Sequence, residues 1–302
     1  MKPVSIAAGL LLLGTGVVRA ADRDISLDVR MAFPESLGST RDGTVYIGSM
    51  MTGEVYRARP GETQASPFIT KEAGGFGRVL GVLADEKTGT LWVCDNNRTR
   101  ATLKSFDLQT GANRKAYDFP GAGSCNDIAL QGGDVFASDN KFGRILKLAA
   151  GGDAMSVWYT NDPSDPSVDG LVWKGDTLYF NTYNGNHLFA LHPKADGAAG
   201  EAVALAPSID IFQPDGMRLG PGARIFMVEG RSKDGNGRLD EVIPGDGHAT
   251  IRVVRDHFMV PSAVTFVGRT AYVLEAKFNY QRDPALKGQD PGTFHAYAVP
   301  LP

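Results

Sequence analysis

Short apolar runs with an aromatic at the third position recur along the chain. "TVYIGS" (44–49), "TLWVCD" (90–95), "DVFASD" (134–139), "TLYFNT" (177–182), "RIFMVE" (224–229) and "TAYVLE" (270–275) share one pattern of β-forming residues. Their aromatics are Tyr46, Trp92, Phe136, Tyr179, Phe226 and Tyr272, at intervals of 46, 44, 43, 47 and 46 residues. A turn precedes each run, from Asp42-Gly43 to Val267-Gly268, and a shorter apolar run precedes each turn: "ESLGST", "GVLADE", "NDIALQ", "DGLVWK", "DGMRLG" and "SAVTFV". A further hairpin strand follows, as in "GEVYRA" and "RILKLA".

Six such repeats of about four strands each predict an all-β fold, a six-bladed β-propeller with four-stranded blades around a central channel. One blade cannot bury both faces of its sheet, whereas a closed ring of blades can. The segment 25–33 is expected to pair with "FHAYAV" (294–299) and close the ring. No linker divides residues 21–302, which are read as one propeller domain. Trp92 and Trp173 are assigned to packing within the blades.

The first strand of a propeller blade lines the channel, so the residue opening that strand stands at one mouth. Counting back 10 or 11 residues from each aromatic gives Glu35, Gly81, Asn126, Asp169, Asp215 and Ser262. Asp215-Gly216 resembles a hairpin turn, yet this register makes Asp215 one of six equivalent ring positions. Four of the six carry carboxylate or amide oxygens. Asp and Asn at strand starts often only satisfy backbone N–H groups. Three carboxylates aimed at one axis, however, repel unless a cation lies between them. An all-oxygen set without His or thiolate suits a hard divalent ion: Ca2+ first, with Mn2+ or Mg2+ as alternatives. "KDGNGRLDE" (233–241) offers a weaker calcium candidate in Asp234, Asn236 and Asp240. It lacks the Glu that closes a calcium loop and reads first as a long turn in the fifth blade.

Composition narrows the class. The N-terminus has Lys2, a short apolar stretch and Val18-Arg19-Ala20, which reads as a secretory signal cut after Ala20, with a retained anchor as the alternative. The expected location is periplasmic or secreted. Removing residues 1–20 leaves 29 basic against 34 acidic side chains, a net charge of −5. No basic block supports nucleic-acid binding, and no membrane association is expected after cleavage. Cys94 and Cys125 are the only cysteines. An exported protein could join them, but the sequence leaves the pairing open.

The stretches "PESLG", "CNDIAL", "DGLVW" and "QPDGM" resemble the gluconolactonase/regucalcin family (senescence marker protein family) of six-bladed propellers, in order and spacing over nearly the whole mature chain. The resemblance implies one divalent metal in the channel, held by Glu35, Asn126, Asp169 and Asp215, and hydrolysis of lactones or related esters. Two positions depart from the family pattern. Asp169 replaces its usual Asn, and Ser124 stands where sugar-lactone members carry an Arg. The expected chemistry has Asp215 as general base beside a Lewis-acid metal. Arg78, Asn96, Asp127, Asn140, Tyr183 and Asn184 are expected to support or contact the substrate, and Glu229 and Glu275 lie in equivalent loops. The competing readings are a non-catalytic exported binding propeller and a metal-free enzyme resembling strictosidine synthase.

Overall fold

The computed structural model describes residues 23–97, 99–231 and 236–302. The expected signal segment and Asp234 lie outside the described residues. The turn-punctuated apolar runs form strands arranged in six antiparallel blades. A short opening strand, β1 (Ile25–Leu27), precedes blade 1, which holds β2 (Pro34–Ser39), β3 (Val45–Ser49), β4 (Glu54–Ala58) and β5 (Ser66–Ile69). A single helical turn, α1 (Lys71–Gly74), leads to blade 2: β6 (Arg78–Asp85), β7 (Thr90–Asn96), β8 (Ala101–Asp107) and β9 (Asn113–Asp118). Blade 3 contains β10 (Cys125–Gln131), β11 (Asp134–Asp139), β12 (Arg144–Leu148) and β13 (Ser156–Thr160). Blade 4 contains β14 (Val168–Lys174), β15 (Thr177–Thr182), β16 (His187–Leu191) and β17 (Ala202–Pro207). Blade 5 contains β18 (Pro214–Gly220), β19 (Arg224–Glu229), β20 (Gly237–Pro244) and β21 (His248–Phe258). Blade 6 contains β22 (Pro261–Val267), β23 (Thr270–Glu275) and β24 (Phe294–Pro300), with a second helical turn, α2 (Asn279–Arg282), between its last two strands.

The aromatic runs are the second strands of the six blades, as their repeat predicts. The fourth strand of blade 6 is β1, which pairs antiparallel with β24 through Ile25↔Ala296 and Leu27↔Phe294. Closure therefore uses a shorter piece than the 25–33 segment the sequence offers. Inner strands neighbour one another around the whole circle: β2 beside β6, then β10, β14, β18, β22 and back to β2. Blades 4 and 5 are also joined at their rims, where β17 and β21 run parallel.

The apolar core lies between blades. Tyr46, Val55 and Ile69 of blade 1 pack with Val82, Leu91, Val93 and Phe106 of blade 2. Val172 and Leu188 of blade 4 pack with Met217, Ile225 and Met227 of blade 5. Trp173 is buried against Phe136 and Trp158, and Trp92 against Tyr117, so both serve packing. Glycine appears where inner strands nearly touch. A Cβ on Gly81 would stand 2.1 Å from the Asn126 carbonyl, and one on Gly170 2.4 Å from that of Asp215.

The open question of the cysteines resolves to a disulfide. Cys94 on β7 and Cys125 on β10 are bonded, with Cα atoms 5.2 Å apart, and this stitches blade 2 to blade 3 beside Asn126. The loop spans a sequence separation of 31, for which chain entropy corresponds to about 3–4 kcal/mol. Replacing both cysteines by alanine is expected to lower Tm by roughly 5–10 °C, and a reductant should lower wild-type Tm similarly. Calorimetric scans with and without reductant check this; identical scans would mean the seam holds without the bond.

Candidate functional site

Every inner strand breaks register at its ring position. The shifts fall between Pro34 and Ser36, Val79 and Val82, Cys125 and Ile128, Val168 and Leu171, Pro214 and Met217, and Pro261 and Ala263. Glu35, Gly81, Asn126, Asp169, Asp215 and Ser262 lie within these bulges. A bulge leaves a residue outside the ladder and re-aims its side chain. Here it converts the strand starts into a ring of polar groups at the channel mouth.

Glu35, Asn126, Asp169 and Asp215 converge at the base of a cavity of about 410 Å3. Each is buried, with between 3% and 8% of its surface exposed. Asn126 Nδ2 donates to Asp169 Oδ2 at 2.7 Å. Asp169 Oδ1 is buried and receives no hydrogen bond. Burial, and then the Asp127 charge, push Asp169 up to about 7. Burial raises Asp215 well above the carboxylate range, reinforced by Asp169, Glu35 and Asp127. Glu35 rises for the same first reason, then through Asp169 and Asp127, against the pull of Arg218 and Arg78. These carboxyls cannot all ionise in this space without a compensating positive charge.

The donor set fits a hard cation. It offers carboxylate oxygens from three blades, an orphaned Asp169 oxygen and an amide that would present its own oxygen if its end were turned over. Among the described residues, no three His, Cys, Asp or Glu side chains are already closed around a common point. Ligation therefore requires the ring side chains to reorient.

Of the expected substrate-facing residues, Arg78, Asn96, Asn140, Tyr183 and Asn184 line the cavity, together with Ser124. Asn96 is less available than its place suggests. Its amide clamps Cys125, accepting from the backbone N–H and donating to the carbonyl, both at 2.8 Å. Asp127 is not at the mouth. It lies under the ring, beside a gap of about 10 Å3, roughly one water. There it accepts from the Ile128 and Leu171 N–H groups at 2.8 and 2.9 Å.

The sequence reading missed Arg218. From β18 its guanidinium crosses the channel below the ring and meets Asp127 at 2.8 Å. Both side chains are largely buried, and Arg218 Nε is left without a partner. The pair forms a charge-balanced floor beneath the carboxyl ring. Its only sequence trace is an arginine in a strand otherwise read as apolar.

Glu229 and Glu275 are corrected. Neither lines the cavity. They end the second strands of blades 5 and 6, as Asp139 ends that of blade 3, and Asp95 lies one residue before the end of that of blade 2. All four tether the chain entering the inner strand: Gly77, Ser124, Phe212 and Met259 donate their N–H to Asp95, Asp139, Glu229 and Glu275 at 2.7–2.9 Å. Lys104, Arg144 and Arg238 on the third strands neutralise the first three. Asp240 belongs to this scaffold too. It is buried on β20 and bonded to Arg238 at 2.9 Å, so it does not serve a calcium loop.

Two outcomes follow from these charges. Arg218→Ala is expected to cost about 3–5 kcal/mol in denaturant unfolding, because Asp127 is left buried and unpaired. Adding Asp127→Asn should restore part of that loss; no recovery would mean the pair is not the source. Burial, then the adjacent Asp240, raise Glu229 to about 9. A folded-state pKa above the unfolded one gives stability that is complete below pH 4.5 and lost as pH rises toward 9. Asp240→Asn should flatten that decline, read as Tm against pH.

No protein-family model matches the sequence, and no curated protein matches it. Solved structures do resemble it. A gluconolactonase from Xanthomonas campestris is 16% identical with a TM-score of 0.64, covering 93% of this chain and 89% of its own. A calcium-binding regucalcin from Agrobacterium tumefaciens is 14% identical with a TM-score of 0.64, covering 91% of this chain and 93% of its own. A nidogen/laminin complex contributes a chain 20% identical with a TM-score of 0.58, covering 78% of this chain and 87% of its own. The chain thus shares the six-bladed propeller fold of gluconolactonases and regucalcins.

Proposed function

We propose that the protein is a divalent-metal-dependent hydrolase of lactones or related esters. One observation carries this reading: three carboxyls and an amide, re-aimed by bulges on separate blades, meet at the base of a cavity sized for a small molecule. A surface that binds a protein partner has no use for that concentration of buried like charge. The fold alone does not choose between these roles, since it also occurs in a nidogen/laminin complex.

Glu35, Asn126, Asp169 and Asp215 would hold the ion, with Ca2+ favoured and Mn2+ or Mg2+ as alternatives. When bound, the ion supplies a Lewis acid toward the carbonyl oxygen and the positive charge the ring lacks. Asp215 borders both the cavity and the gap beneath it. In this reading it orients a water, accepts its proton and returns that proton to the departing alkoxide. Asn140, Tyr183 and Asn184 orient the substrate from the rim. Arg218 and Asp127 keep the floor fixed. The disulfide suits an oxidising compartment, in keeping with export to the periplasm or medium.

The test is hydrolysis of a panel of small lactones and aryl esters by the mature protein, with added Ca2+ or Mn2+ and after chelation. Asp215→Asn should lower kcat by about 10²–10⁴-fold. Chelation should lower Tm, since an ion at about 100 times its Kd stabilises the fold by roughly 2.7 kcal/mol. Bound metal with no turnover of any substrate would instead favour a binding propeller.

A further inference from the structure

Resting on the hydrolase reading, we infer that the substrate carries a carboxylate, received at the rim by Arg78 and Arg282. These are the only cationic side chains lining the cavity among the described residues. Among the described residues, neither has a carboxylate partner within 4.0 Å. By contrast, Lys104, Arg144, Arg218 and Arg238 nearby are each committed to an acid.

Arg282 is held in place without being neutralised. It donates to the Tyr183 hydroxyl at 2.7 Å and lies 5.7 and 5.4 Å from the ring centres of Tyr183 and Phe278. It rides on α2, in the connection from Ala276 to Thr293. That connection is much longer than the tight hairpins joining the second and third strands of blades 1 to 4. Lys277 pins its base, donating to the Pro291 and Thr293 carbonyls at 3.0 and 2.7 Å. Long connections at a site entrance commonly carry specificity. Arg78 opens β6 on the other flank of blade 1 and is near enough to bias Glu35. A guanidinium leaves several N–H donors free after one contact, and its fork matches a carboxylate.

Charge balance favours a monoanion. Three ring carboxylates exceed a divalent ion by one negative charge, while the two rim arginines add two positive charges. A substrate with one carboxylate brings the sum to zero, and a phosphate dianion would overshoot. Such a lactone would lay its carbonyl toward the ring and its carboxylate toward the rim. Ser124 leaves room there, where sugar-lactone members of the resembling family carry an Arg.

The experiment compares a small lactone bearing a free carboxylate with the same lactone bearing a carboxamide. Wild type should prefer the carboxylate roughly tenfold or more in kcat/KM. Combined Arg78→Ala and Arg282→Ala should collapse that ratio toward one, and Arg282→Lys should keep part of it. Equal use of both lactones by wild type, or a preference that survives the double substitution, would overturn the inference and leave the hydrolase reading standing. Titration calorimetry on Asp215→Asn supplies a readout without turnover. Arginine-dependent binding of the carboxylate compound, with no hydrolysis by wild type, would keep the anion site and remove the hydrolase. Equal binding of both compounds would sink the anion site. Both arginines are exposed, so loss of fold is not expected, and a Tm check guards against it.

Discussion

A register break repeated at the start of every inner strand governs this molecule. Without it, Glu35, Asn126, Asp169 and Asp215 would alternate with their neighbours in a regular ladder and point where the pleat sends them. With it, each blade delivers one side chain to the mouth while the rest of its inner strand packs against the next blade. The glycines at 81 and 170 belong to the same device, because the neighbouring ring carbonyl stands where a side chain would be.

That geometry concentrates negative charge, and much of the surrounding architecture manages the result. Arg218 spans the channel under the ring and holds Asp127. Around the outside, Asp95, Asp139, Glu229 and Glu275 fix the segments that lead into the bulges, most with a cation from the adjacent strand. The upper acids are left uncompensated toward the cavity, while Asp127 below and Asp95, Asp139 and Glu229 outside are each paired with a cation. That contrast separates the ring acids from those that fix the shape of the blades, although all are buried acids.

The blades were legible because an aromatic, a turn and a strand recur at nearly constant intervals, and a period of that length survives local irregularities. Ring residues could be located by counting back from Tyr46 or Phe136, since a bulge adds a residue without moving the strand. Partnerships across the channel were not legible. Arg218 and Asp127 lie on different blades, 91 residues apart, and nothing local in either strand announces the other. Glu229 was misplaced for a related reason. Its position at a strand end suggests a loop, whereas Arg238 and Phe212 draw it inward. Asn96 shows a third limit: a polar residue at the mouth can have its hydrogen bonds already spent on the backbone beside it.

The pairing of β1 with β24 bears on how the chain reaches this state. Ile25–Leu27 takes its strand partner from Phe294–Pro300, near the opposite end of the sequence, and adds a single bridge from Ser26 to Gln64 of blade 1. Blades 1 to 5 can each form from local hairpins, but the circle stays an open arc with two unsatisfied edges until the last strand arrives. Contacts of such long range make the final step slow relative to the hairpins. The cluster of buried carboxyls, which takes side chains from blades 1, 3, 4 and 5, is therefore a property of the closed circle and is acquired last.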